Sequence, residues 1–94
     1  MEWKFSDPPN IVVLTTHGIV ETGNWIAHVS HDEDDGVWQF HDSTLGPIKE
    51  DDALVIGLRE IVSHDASVAA LADMPRGWHA LRASRNSPWQ RSKT

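Results

Sequence analysis

Apolar and polar positions fall into a strand-like period over much of the first half of the chain and a helix-like period further on. The run Ile11-Val12-Val13-Leu14-Thr15-Thr16 is short, rich in β-branched residues and bounded by turn formers, which predicts a buried strand. His17-Gly18 and Thr22-Gly23-Asn24 bracket only Ile19 and Val20, so residues 17–24 read as a connection without an element of their own. Two alternating stretches, at about residues 25–31 and 36–41, flank Asp32-Glu33-Asp34-Asp35-Gly36, and Asp-Gly between alternating segments is a strong hairpin signal. With Val29 opposite Trp38, and Ala27 opposite Phe40, one face carries Trp25, Ala27, Val29, Trp38 and Phe40 and becomes the core face. The other carries Ile26, His28, Ser30, Val37, Gln39 and His41 and is polar.

Leu45-Gly46-Pro47 closes this region. Glu50-Asp51-Asp52 then supplies acids suited to the positive end of a helix dipole, with Asp51 as N-cap. Leu54, Leu58, Ile61 and Val62 fall at i, i+4, i+7 and i+8, predicting an amphipathic helix to about Val62. Asp65 is placed to cap a second short helix over residues 66–73, with Val68, Leu71 and Ala72 inward and Met74-Pro75 ending it. Residues 78–82 alternate again and predict an edge strand. No internal repeat is visible in the sequence. The sum is an α+β fold: a small three- or four-stranded, mainly antiparallel sheet with two helices on one face. Its 94 residues suit a single domain, with an N-terminal arm over residues 1–10, anchored by Trp3 and Phe5, and a basic C-terminal arm over residues 84–94.

Composition sharpens this picture. No cysteine is present, which excludes disulfides, thiol nucleophiles and thiolate metal sites. No apolar run reaches the length of a membrane-spanning helix, and the N-terminus lacks a basic and then apolar leader, so the expected compartment is the cytoplasm. Charge is divided unevenly. Residues 1–73 carry all fourteen acids and three basic side chains, a net of −11, whereas residues 74–94 carry five basic side chains and no acid. The aromatic content is five Trp and two Phe with no Tyr. Trp25 and Trp38 belong to the core face. Trp78 and Trp89 lie beside Arg82, Arg85 and Arg91, and Trp with Arg is the usual pair of interface anchors. The intramolecular alternative is that this basic segment folds back onto the acids at 32–35 or 50–52.

The candidate chemistry is sparse. His31-x-Glu33-x-Asp35-Gly36 with Asp42 parallels a calcium loop only loosely, because a histidine opens it and strands flank it. His28 and His41 share a sheet face and could hold an imidazole-preferring metal if a third ligand such as His79 joined them; otherwise they are polar residues on a wet face. Ser63-His64-Asp65 are consecutive and cannot converge as a catalytic triad. No catalytic residue, metal ligand or cofactor is assigned.

The stretch His31-Asp32-Glu33-Asp34-Asp35-Gly36-Val37-Trp38-Gln39-Phe40 resembles a family of small bacterial proteins with an acidic turn before Trp-x-Phe. The outline continues with an acid-started helix, here Asp51-Asp52, a turn at Met74-Pro75-Arg76-Gly77, then Arg82, and Trp89 with Arg91. It is distantly similar to proteins proposed as immunity factors of bacterial toxin systems. That resemblance implies a bacterial α+β domain and no established activity. The functional expectation is a non-catalytic protein-binding module. One surface would be acidic, formed by Asp32, Glu33, Asp34, Asp35, Asp51 and Asp52, and would receive a basic protein. The other would be basic and aromatic, formed by Trp78, Arg82, Trp89 and Arg91. The alternatives are a small metal-dependent hydrolase using surface His and acids, or nucleic-acid binding through the Arg/Trp segment.

Overall fold

The computed structural model describes residues 3–44 and 46–94, so the reading of Leu45 at the end of the hairpin region lies outside it. In chain order the elements are β1 (Val12–Thr16), α1 (His17–Thr22), β2 (His28–His31), β3 (Trp38–His41), β4 (Ala53–Gly57), α2 (Leu58–His64), β5 (Trp78–Leu81) and β6 (Gln90–Lys93). Short 3₁₀ turns occupy Glu50–Asp52 and Ala66–Leu71. Among the described residues the strands form one mixed sheet in the order β4-β1-β3-β2-β5-β6. β1 and β3 are parallel and every other neighbouring pair is antiparallel.

The fold is thus α+β, with a larger sheet than the pattern predicts. One added strand is Ala53–Gly57. The apolar stripe Leu54, Leu58, Ile61 and Val62 is compatible with one continuous helix, but five paired positions with β1 hold residues 53–57 extended. The helix begins only at Leu58, whose side chain is buried together with Ile61 and Val62. A short apolar run cannot be told from a helix segment by periodicity alone, and here tertiary pairing decides. Asp51 consequently caps no long helix and lies in the 3₁₀ turn before β4. No side chain caps α2. Its first amides donate instead to the carbonyls of Ile11 and Pro9, so the N-terminal segment ends the helix.

The second added strand is β6. Its pairing with β5 moves residues 78–81 from the expected edge to the sheet interior. The hairpin register also differs: Val29 lies opposite Phe40, and His31 opposite Trp38. A shift of two residues leaves every side chain on its expected face, which is why the core assignment survives it. Trp25 and Ile26 are the exceptions: both precede β2, where the alternation has not begun, and Ile26 is buried whereas Trp25, expected on the core face, is only partly buried and lies outside the core cluster.

The core lies between one sheet face and the helical layer. Val13, Val29, Trp38, Phe40 and Ala80 project from the sheet onto Ile19, Leu58, Ile61, Val62, Val68, Leu71 and Met74. Phe5 closes one end against Trp38 with rings edge to face at 5.3 Å. The opposite sheet face has no helix over it and carries Val12, Leu14, Val55, Ser30, Gln39, His28, His41, His79 and Leu81. The order strand-helix-strand-strand occurs twice along the chain. Exchanging the two halves maps the β1–β4 and β2–β5 pairs onto themselves and β2–β3 onto β5–β6. The parallel β1–β3 pair has no counterpart, which leaves β4 and β6 as edges.

Arg82 ties the layers together. Its side chain is 1% exposed, and its three donor groups are matched: Nε to the Ile26 carbonyl at 2.7 Å, Nη1 to Ser67 Oγ at 2.9 Å and Nη2 to Asp65 at 2.6 Å. Trp89 stacks on the guanidinium at 4.1 Å. Asp65 meanwhile caps the Ala66–Leu71 turn by accepting from the Ser67 amide. Partial burial pushes the Asp65 carboxyl up, but hydrogen bonds from Ser67 and Arg82 outweigh that and leave its pKa below the ordinary carboxylate value.

The connection at residues 17–22, in which the pattern shows no element, is a helix fixed by its ends. Thr16 Oγ1 accepts from the buried Ile19 amide at 3.2 Å, and Gly23 terminates the helix at φ 76°. Thr16→Ala is therefore expected to cost about 2 kcal/mol, the upper end for an N-cap because the amide it leaves is buried. Thr16→Ser should recover most of it in urea unfolding. Equal stabilities for the Ala and Ser variants would show that the cap contributes little.

Candidate functional site

The acidic turn is built on the β2–β3 hairpin. The Asp32 amide donates to the Val37 carbonyl at 2.9 Å and the Gly36 amide to the Asp32 carbonyl at 3.0 Å. Gly36 takes φ 71°, a left-handed conformation that disfavours other residues. A Cβ there would also meet the Arg76 guanidinium, 2.5 Å away. Asp32 accepts from the Gln39 side chain at 2.9 Å, and Asp35 from the Val37 amide at 3.0 Å. Glu33, Asp34 and Asp35 are exposed, and none of the four acids is in an ion pair.

Asp51 and Asp52 do not join this surface. β3 runs away from the turn, β1 is parallel to it, and β4 starts opposite Thr16 at the far end of β1. The acids before β4 therefore lie at the opposite end of the sheet. There they line a depression of about 380 Å³ with Thr16, His41, Asp42 and Lys49.

The basic and aromatic residues are drawn into the fold. Arg82 is buried as described, which removes it from any contact surface. Arg91 donates to Asp73 at 2.7 Å and to the Ala70 carbonyl at 2.6 Å. Trp89 donates to the Ser67 carbonyl at 3.3 Å, and both Trp78 and Trp89 pack on the core while remaining partly exposed. Arg82 and Arg91 of the basic segment fold back onto Asp65 and Asp73, whereas Arg76 of the same segment lies against Gly36 of the acidic turn without an ion pair to its acids.

The open sheet face gathers three histidines from neighbouring strands. His28 on β2 faces His41 on β3, with stacked rings 4.9 Å apart, and meets His79 on β5 edge to face at 5.4 Å. Nε2 of His28 is buried and has no hydrogen-bond partner. Burial, then the neighbouring His41 and His79, push the His28 pKa down to about 4. Burial also lowers His41, against the opposing pull of Asp42 and Asp32. His79 Nε2 lies 2.7 Å from Ser92 Oγ. The sequence pattern places His28 and His41 on one face and offers His79 as a third member; the antiparallel β2–β5 pairing brings it there. As the rings stand, their nitrogens do not converge, and no group of three or more His, Asp or Glu among the described residues is arranged to hold a metal ion.

Ser63-His64-Asp65 make no catalytic chain. Ser63 Oγ donates to the Glu60 carbonyl and Asp65 serves Ser67 and Arg82. No helix among the described residues is long and apolar enough to cross a membrane. No protein-family profile, curated protein or solved structure matches the chain.

The histidine face makes stability depend on pH in a defined window. Unfolded His28 takes up a proton near 6.5, while the folded ring resists it down to about 4. The unfolded state therefore binds more protons in that interval, and stability falls as pH drops through it. Asp65 and Asp42 have lowered pKa values, so their contribution is present above the ordinary carboxylate pKa of 3.8 and is lost only below it. Denaturation midpoints are expected to be level above about pH 7 and to decline towards pH 4, by about 1 kcal/mol once solvent screening of the half-exposed rings is allowed for. His28→Gln should flatten that decline; an unchanged slope would place its origin elsewhere.

Proposed function

We propose that this chain is a non-catalytic protein-binding module whose acidic hairpin turn receives a basic protein. The observation that carries the reading is the disposition of charge. Arg82 and Arg91 are matched to Asp65 and Asp73, and Arg76, which lies against Gly36, makes no ion pair with the acids of the turn. Four consecutive acids, three of them exposed, project from a rigid hairpin whose backbone is fixed by its own hydrogen bonds. Such a surface speeds encounter with a basic partner and selects against acidic ones. Asp51 and Asp52 form a separate negative surface at the other end of the sheet. The resemblance of the turn to that of proposed toxin-immunity proteins favours an immunity-like role with a basic toxin as partner. Nucleic-acid binding through the Arg/Trp segment draws little support, since Arg82 is buried and Arg91 already holds two acceptors.

Glu33→Lys combined with Asp34→Lys is the direct test, because neither carboxylate makes a hydrogen bond or ion pair that the fold needs. The double variant should keep its stability to within about 0.5 kcal/mol. It should lose capture of a partner of high isoelectric point from cell extract, and wild-type capture should weaken steeply with added salt. Retained, salt-insensitive capture by the variant would refute the reading.

A further inference from the structure

The two edges of the sheet are unlike. β6 is Gln90-Arg91-Ser92-Lys93, exposed throughout and charged at alternate positions, a composition that discourages pairing with a further strand. β4 is Ala53-Leu54-Val55-Ile56-Gly57, with no charge, no proline and an unbroken register against β1. An edge of that kind is a template for another strand unless something covers it. The Leu58 amide donates to the Ile11 carbonyl, and antiparallel bonding alternates, so Ile56 and Leu54 also bond towards β1. The backbone groups of Ala53, Val55 and Gly57 therefore turn away from it. Two of these are already used. The Ala53 amide returns to the Glu50 carbonyl, and the Gly57 carbonyl, at the N-cap of α2, begins the helix. The Val55 amide and carbonyl, the Gly57 amide and the Ala53 carbonyl face outwards without a backbone partner among the described residues.

This edge is complementary to itself. In an antiparallel second copy related by a two-fold axis at Val55, positions equidistant from Val55 fall opposite one another. Each Val55 exchanges both backbone bonds with the second copy's Val55, and each Gly57 amide meets the second copy's Ala53 carbonyl. The groups already used, the Ala53 amide and the Gly57 carbonyl, are the ones that fall together. Every outward group is thus matched and no bond of the single chain is broken. On the helix side Leu54 falls opposite Ile56, both only partly buried in the single chain. On the open face Val55 is 59% exposed and Val12, diagonal to it on β1, 60%, so with Leu14 they form an apolar strip along this edge. Asp51 and Arg59 lie at equal distances from Val55 and fall opposite each other. Both are exposed, and neither side chain has an ion pair or hydrogen bond among the described residues. Glu50 and Glu60 come next and oppose each other, so the pairing ends at Asp51 and Arg59.

We propose that β4 is the contact surface for a second copy of this chain, which adds antiparallel across Val55 and joins the two sheets into one. The contact is narrow and built mainly of backbone bonds, so association is weak, with a dissociation constant of about 10–100 μM. It does not depend on the acidic turn, which lies on β2 and β3 beyond β1 and stays open in each copy.

Sedimentation equilibrium of the full chain from about 5 to 500 μM tests this and should show a monomer–dimer equilibrium. Val55→Pro removes an outward amide that the single chain does not use, a placement an edge strand tolerates, and should weaken association about tenfold or more. Val55→Lys, which sets two charges against each other at the axis, should do the same and serves if the proline disturbs the strand. Asp51→Arg and Arg59→Asp should each weaken association about tenfold, and the two together should restore it to within about threefold, which a general loss of folding cannot do. Denaturant unfolding of each variant reports the fold separately. A chain that stays monomeric to about 500 μM, with the edge bare or reserved for another protein's strand, would overturn the proposal. So would a dimer unchanged in folded Val55→Pro and Val55→Lys, or a charge swap that fails to restore association.

Discussion

The buried guanidinium of Arg82 is the constraint on which the arrangement of this chain depends. A charge withdrawn from water is tolerable only when its donors are matched, and here they are matched by two separate parts of the chain. The Ile26 carbonyl comes from the approach to β2, and Ser67 and Asp65 from the cap of the second 3₁₀ turn. Trp89 covers the remaining face and leads directly into β6. One side chain therefore fixes where the helical layer sits over the sheet and why the C-terminal segment pairs as a sixth strand. Remove the match and a buried charge is left without compensation, which is far more costly than the loss of an exposed ion pair.

This constraint also sets the external charge pattern. Basic residues that oppose the acids in the overall composition are matched locally, Arg82 to Asp65 and Arg91 to Asp73. Their engagement leaves the hairpin acids facing solvent with only the turn's own hydrogen bonds. The same antiparallel pairing that brings β5 against β2 sets His79 beside His28, so the acidic turn and the histidine patch grow from neighbouring positions of one hairpin. The two features nevertheless differ in chemistry: one is a field acting at a distance, the other a close arrangement of imidazole rings.

Much of this was legible in the residues. Asp-Gly between alternating stretches located the hairpin, and side-chain parity located its core face even with the register two residues off. Asp65 as a cap follows from local chemistry, but the element it caps is a 3₁₀ turn that ends at Leu71, before Met74-Pro75 is reached. What escaped was decided by contacts distant in sequence. Ala53–Gly57 reads equally well as helix or strand until β1 is placed beside it. The helix at residues 17–22 is too short for a periodic signal, and only the Thr16 cap and Gly23 stop mark it. Asp51 and Asp52 share only their acidity with the hairpin acids, and the parallel β1–β3 pair carries the two runs to opposite ends of the sheet. Arg82 reads as an interface anchor in sequence, since Trp and Arg in one segment suit a surface and a buried, matched network equally well.

The buried Arg82 is held by Asp65 and not by the acidic turn. Double-mutant cycles measured by denaturant unfolding separate the two, pairing Arg82→Met first with Asp65→Asn and then with Asp34→Asn. A coupling of about 2 kcal/mol between Arg82 and Asp65, with none resolvable between Arg82 and Asp34, is the predicted result. Coupling to Asp34 in place of Asp65 would contradict it.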